Sequence, residues 1–168
     1  MSEISDMMPP IDSADPGGTN VLLMAIDFIT FLYAKGEHPM NNVELVTEGY
    51  KHFAEGNVEA VLALFHPELE WDECQGFPYI SGDGIFIGGN AVVQGVFAKI
   101  PENMDGFHID IRELFGSDDK VVMVGHYRGV YKETGKEFKA NATHVWTVKD
   151  GKATHFFQAV DTAEIISP

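Results

Sequence analysis

The sequence predicts an α+β domain in which three helices cover a curved antiparallel sheet and enclose an apolar pocket. Three observations carry this. Residues 41–100 hold three helix-periodic segments with capping signals. Residues 107–160 hold four segments of strand pattern. The last three of those strands are joined by Glu133-Thr134-Gly135-Lys136 and Lys149-Asp150-Gly151-Lys152, both tight-turn sequences, so they meander antiparallel after a helical half.

Taken in order, residues 1–19 are rich in Pro, Gly, Ser and Asp and read as a disordered or loosely attached tail. Asn20 to Lys35 is strongly apolar and reads as an extra N-terminal helix, with residues 36–40 as its link to the main domain at 41–168. It does not read as a signal peptide, because the residues before it carry Glu3, Asp6, Asp12 and Asp15 and no positive charge. Asp27 interrupts it, and the run is shorter than the ~18 residues a membrane helix needs. A helix apolar around so much of its surface must pack on two sides, against its own domain and against a second subunit.

Asn41 with Glu44 makes a capping box for a first domain helix carrying Val43, Val46, Tyr50 and Phe53. Gly56 ends it, and Asn57 caps a second helix through Val58, Val61, Leu62 and Phe65 that Pro67 closes. Leu69–Glu73 reads as a strand and Tyr79–Gly89 as a Gly-rich hairpin or loop. A third helix spans Asn90 to Ile100. The remaining strands are Phe107–Phe115, Val121–Tyr131, Phe138–Val148 and Ala153–Val160.

Composition narrows the function. With a net charge of −15 and only 11 Lys and Arg, scattered along the chain, a nucleic-acid partner is excluded. No membrane partner is indicated either. A single cysteine, Cys74, rules out an internal disulfide and fits a reducing, cytoplasmic setting. It reads as a buried bystander, the alternative being a reactive thiol, because no His or basic residue adjoins it in sequence to lower its pKa. Seven histidines invite a metal reading, but no pair has the spacing of a helical or finger-type site. The glycines at 82, 84, 88 and 89 match no dinucleotide or phosphate loop.

The segment YKHFAEGNVEAVLALFHPELEW, from Tyr50 to Trp71, and the ending with His144, Trp146, Asp150-Gly151-Lys152 and Gln158 resemble the nuclear transport factor 2-like superfamily. Within it the chain is similar to SnoaL-like polyketide cyclases and ketosteroid isomerases, over about residues 41–165. The resemblance implies a cone-shaped α+β barrel, its helices packed on a strongly curved antiparallel sheet around a pocket. It also implies a homodimer and chemistry without a cofactor. Because this fold hosts several activities and some members without known chemistry, the pocket residues must decide the function.

On that resemblance, the general base of the ketosteroid isomerases falls on Glu73, with Cys74 in place of the proline that usually follows. Strand alternation puts Trp71 and Glu73 on one face and Glu70 and Asp72 on the other, so Glu73 is inside if Trp71 is. A carboxylate against apolar walls loses solvation and rises toward a useful base pKa. The other reading is a surface acid in the run Glu68, Glu70, Asp72, Glu73. His144 takes the place of the protonated Asp of the isomerase oxyanion hole, where it would donate to a developing enolate. The alternative is a core histidine bonded to a backbone carbonyl. The isomerase tyrosine falls on Gly49, while Tyr50 lies one residue on, about 100° around the helix. Gln158 stands near the acid/base Asp of the cyclases and cannot transfer its proton. His126 faces either into the pocket or away from it. Trp71, Trp146, Phe156 and Phe53 are expected as pocket walls, with Tyr50 beside them.

The expectation is a cofactor-independent isomerase, cyclase or dehydratase, metal-free, with Glu73 and His144 as catalytic residues acting on a small apolar or carbonyl-bearing molecule. The alternatives are a non-catalytic small-molecule binder of the same fold and a protein-interaction module.

Overall fold

The computed structural model describes residues 40–166, apart from 78 and 81. The chain divides into residues 1–39 and a compact unit Met40–Pro168, and the fold below is that of the second unit. The expected tail and the expected helix over Asn20–Lys35 lie outside the described residues.

Helix α1 (Asn42–Ala54) begins where the sequence places its cap. The Asn41 side chain accepts from the backbone of Val43 and Glu44 at 3.0 Å each. The Glu44 carboxylate in turn accepts from the Asn41 backbone N–H at 2.9 Å. Gly56, at φ +70°, ends the segment, and Asn57 caps α2 (Val58–Ala63) through the Ala60 N–H.

Here the structure departs from expectation. Helix α2 stops at Ala63 instead of running on to Pro67, and strand β1 covers Phe65–Asp72 with Pro67 inside it. Phe65 already pairs with Ala153 of the last strand, and Ala153 donates its backbone N–H to Leu64 O at 2.9 Å. The proline is tolerated because it lies where the register of that pairing shifts, between Phe65 and Glu70, so no ladder donor is needed there.

Strand β2 (Ile85–Ile87) folds back on β1. Next comes a helical run longer than expected: α3 (Gly89–Val92), a π-helical turn (Val93–Phe97) and α4 (Lys99–Asn103). The widened turn carries Gly95 against the ring of Phe86, in space a Cβ would occupy. Four long strands follow: β3 (Met104–Ser117), β4 (Lys120–Tyr131), β5 (Lys136–Lys149) and β6 (Lys152–Val160). A short helix α5 (Thr162–Ile166), unforeseen in the sequence, buries Ile165 against the Phe77 and Tyr131 cluster.

The six strands form one sheet in the order β2-β1-β6-β5-β4-β3. Every neighbour is antiparallel except β1 and β6, which run parallel. The sheet is antiparallel as expected but for that one pair, whose strands are joined through the rest of the domain, since only hairpin partners must reverse. The helices lie on one face of the sheet, and the buried side chains of that face surround the site. Among the described residues no helix is long and apolar enough to cross a membrane.

Candidate functional site

A cavity lies between the helices and the inner face of the sheet. Its floor is aromatic. Trp71 stacks on Phe156 with ring centroids 3.7 Å apart, and Trp146 packs on the same ring at 4.4 Å. These contacts follow from register, since Phe156 is the direct neighbour of Trp71 on one side and of Trp146 on the other. Val46, Phe53, Phe97 and Ile100 close the helical side. Among the described residues no Lys or Arg lines this space.

Glu73 stands at the end of β1. Alternation turns Leu69, Trp71 and Glu73 inward, and Glu70 and Asp72 outward or to the edge. The Glu73 N–H donates to Gly84 O at 2.9 Å, which keeps the residue in line with the strand. That approach requires a glycine, because Gly84 has φ +78° and a Cβ there would sit 3.1 Å from Glu73 O. The side chain is only 3% exposed. Trp71 Nε1 donates to its Oε2 at 2.8 Å, and Gln158 Nε2 donates to its Oε1. Burial pushes the Glu73 carboxyl up to about 7; the bonds from Trp71, the Cys74 backbone and Gln158 limit the rise, and the charge of Asp72 adds to it.

His144 sits on β5 directly opposite Gln158 on β6. Its Nδ1 lies 2.8 Å from the Tyr50 hydroxyl and its Nε2 lies 2.6 Å from the Tyr127 hydroxyl. Burial lowers its pKa to about 3, so the imidazole is neutral at any ordinary pH. The Tyr127 hydroxyl also donates to Gln158 Oε1 at 2.7 Å, and Trp146 Nε1 donates to the Tyr50 hydroxyl at 2.9 Å. Burial holds both tyrosines well above their usual range. No bulky side chain on this face separates Tyr127 from His144, because the positions between are Gly125 and its partner Ala142. One hydrogen-bonded chain therefore runs from Trp146 to Trp71 by way of five polar side chains.

Of the residues singled out in the sequence, Tyr50, Phe53, Trp71, Glu73, His144, Trp146, Phe156 and Gln158 all line this cavity. His126 does not. It lies on the opposite face of β4, cross-strand from Asp110 and Asn141, with its Nδ1 3.9 Å from Asp110 Oδ2. Tyr50 reaches the cavity although it is one residue out of the isomerase register. Cys74 is half-buried beside Val160 O, and burial raises its thiol. Sequence reasoning missed Tyr127 and Tyr79. Both line the cavity, and burial followed by the nearby charge of Glu73 raises their phenols. Tyr127 shares a strand face with Val121 and Met123, and burial makes the odd numbers of β4 the inner ones, a choice that alternation in the sequence does not make.

The SnoaL-like domain model matches residues 46–156. No curated protein matches the chain. An NTF2-like protein from Burkholderia thailandensis is 33% identical, covering 74% of this chain and 93% of its own, with a TM-score of 0.69. TerC, co-crystallised with polyporic acid, is 27% identical over 76% of this chain and 98% of its own, with a TM-score of 0.67. A SnoaL-like polyketide cyclase from Shewanella denitrificans, so described only by similarity, superposes with a TM-score of 0.59 at 16% identity, over 73% of this chain and 91% of its own. That last likeness is one of fold alone.

Proposed function

The chain belongs to the SnoaL-like family of NTF2-like proteins, and from that premise we propose that it abstracts a proton next to the carbonyl of a small, largely apolar molecule. Glu73 is the base. It is a carboxylate on an apolar floor, in a cavity lined by no Lys or Arg among the described residues, and its raised pKa lets it accept and return a proton near neutral pH. This single residue carries the reading. His144 acts through the tyrosines on its two ring nitrogens rather than by touching the ligand, and a tyrosine hydroxyl supplies the hydrogen bond to the developing enolate. Isomerisation, aldol-type cyclisation and dehydration all begin with this step. Proton transfer of this kind needs only the chain's own groups.

The co-crystallisation of TerC with polyporic acid supports a small-molecule ligand for this chain too. Deuterium incorporation next to the carbonyl, followed by NMR in D2O across a panel of small apolar ketones, tests the reaction. Wild-type protein should accelerate exchange for at least one ketone and Glu73→Gln should not. Equal rates for the two would sink the assignment of Glu73. A ketone that binds without exchanging would favour the alternative, a binder without chemistry, which the engagement of both His144 ring nitrogens and of the Gln158 amide within the protein also supports.

We propose further that two copies pair through the outer face of the sheet. Phe115, Val122, Val145 and Phe157 are successive cross-strand neighbours there, and Phe115 and Phe157 remain 52% and 41% exposed. A two-fold axis through the apolar row buries it between the two copies.

A further inference from the structure

Counting donors along the chain in the cavity fixes its direction. Trp146 and Trp71 stand at its two ends, and an indole N–H only donates. Gln158 gives its N–H to Glu73, so its Oε1 must accept, and the hydroxyl of Tyr127 supplies that bond. Tyr127 has then spent its single hydrogen, so its oxygen accepts from Nε2–H of His144. Neutral His144 carries one ring hydrogen, which leaves Nδ1 to accept from the Tyr50 hydroxyl. The Tyr50 oxygen accepts from Trp146. Every bond points toward Glu73, and the Tyr50 hydrogen is consumed inside the chain.

A second complete arrangement exists once the carboxyl holds a proton on Oε1. That proton is donated to Gln158, whose amide turns over so that oxygen faces Glu73 and nitrogen faces Tyr127. Tyr127 then donates to Nε2 of His144. The imidazole exchanges its hydrogen through water, giving up the one on Nε2 and taking one on Nδ1, which donates to Tyr50. The two arrangements differ in composition by the one proton on Glu73. In the second, the Tyr50 oxygen accepts twice, from His144 and Trp146, and its own hydrogen is released.

We propose that the chain Tyr50–His144–Tyr127–Gln158–Glu73 is a two-way relay whose direction is set by the proton on Glu73, so that proton uptake frees the Tyr50 hydroxyl to donate into the cavity. Gln158 is the positioning residue on which the coupling depends. Resting on the base role of Glu73, the consequence for catalysis is direct. As the ligand's C–H bond breaks and the Glu73 O–H bond forms, negative charge moves to the carbonyl oxygen, and the protonated Glu73 favours the arrangement in which Tyr50 offers a hydrogen bond into the cavity. Glu73 is faced by Tyr79 from the loop that follows, Tyr127 from β4 and Gln158 from β6, with Asp72 and Cys74 as its chain neighbours and the charge of Asp72 felt from the other side of the strand. His144 on β5 and Tyr50 on α1 complete the surroundings.

The test needs no ligand. Imidazole 15N spectra of the full chain, with the His144 signals identified by their loss in His144→Gln, are followed against pH together with the Glu73 carboxyl carbon. The relay predicts hydrogen on Nε2 above the Glu73 midpoint and on Nδ1 below it, with the two transitions coinciding. One tautomer persisting on both sides of that midpoint overturns the proposal. In Gln158→Leu the Glu73 carboxyl should still titrate while His144 ceases to follow it; a tautomer that still follows would also overturn it. If that variant does not fold, the wild-type titration decides alone. Failure here leaves the base role of Glu73 standing, and failure of ketone exchange leaves the relay standing.

Discussion

Trp71 Nε1 donates to Glu73 Oε2 across 2.8 Å, from the neighbouring position on the same face of the chain. The indole thus does two jobs: its ring packs on Phe156, and its N–H holds a buried carboxylate in a cavity that no Lys or Arg among the described residues lines. A hydrogen bond to a charged group contributes about 1.5–3 kcal/mol. Trp71→Phe removes the donor and keeps an aromatic ring, so the Glu73 midpoint should rise by about one unit or more from its value of about 7. Carboxyl 13C NMR against pH measures it, and an unchanged or lowered midpoint contradicts the bond's role.

The burial that raises Glu73 also costs stability. Its pKa goes from 4.5 in the unfolded chain to about 7 in the folded one, so between those values the folded state holds more protons and stability falls as pH rises. At about 1.4 kcal/mol per unit, the loss approaches about 3 kcal/mol once pH exceeds 7. His144 works the other way. Its pKa falls from 6.5 to about 3 on folding, so its contribution is lost as pH drops through that range. The two slopes oppose each other between 4.5 and 6.5, and wild-type stability should be nearly flat there. Glu73→Gln leaves only the histidine slope, with stability rising steadily up to 6.5 and exceeding wild type most clearly at pH 8. Urea melts across pH show whether the two curves separate in that direction.

Much of this arrangement was legible in the sequence because local rules and packing agree. The Asn41 and Glu44 cap and the Gly56 stop follow from spacing alone, and alternation puts Trp71 and Glu73 on one shared face without saying that it is the inner one. The side of the sheet on which His126 lies was not legible in the same way. In β4 the even positions Val122, Val124 and Val130 are as apolar as the odd positions Val121 and Met123, so alternation named two faces without choosing between them. Tyr127 was lost by the same ambiguity. The end of α2 was misplaced because Pro67 reads locally as a helix stop, whereas the strand around it is fixed by pairing with β6, remote in sequence. Tertiary pairing overrides a local signal there.

Gly95 gives a prediction about the roof of the cavity. It lies in the π-helical turn, and a Cβ built on it overlaps the ring of Phe86. Gly95→Ala must push β2 or the helical run outward, at a cost of about 1–3 kcal/mol for overpacking. That outweighs the gain of up to about 1 kcal/mol that alanine brings to a helix. The variant should therefore unfold at lower urea, and pairing it with Phe86→Leu should restore part of the loss. Gly95→Ala alone proving more stable than wild type would show that the ring yields without strain.

The outer face of the sheet supplies the last test. If Phe115 and Phe157 lie in an interface between two copies, a charge placed there is desolvated without a partner, and association is lost while each copy keeps its fold. Both side chains are already substantially exposed within one copy, so Phe157→Glu should lower the stability of an isolated copy little. Light scattering should give twice the chain mass for wild type and the single mass for Phe157→Glu, with circular dichroism unchanged. Because Phe157 shares β6 with Gln158, whose side chain turns to the opposite face, the same variant asks whether the cavity needs the second copy. Ketone exchange surviving in the monomer would make each cavity self-sufficient. Exchange falling in step with the mass would tie the rigidity of β6 at Gln158 to the interface behind it.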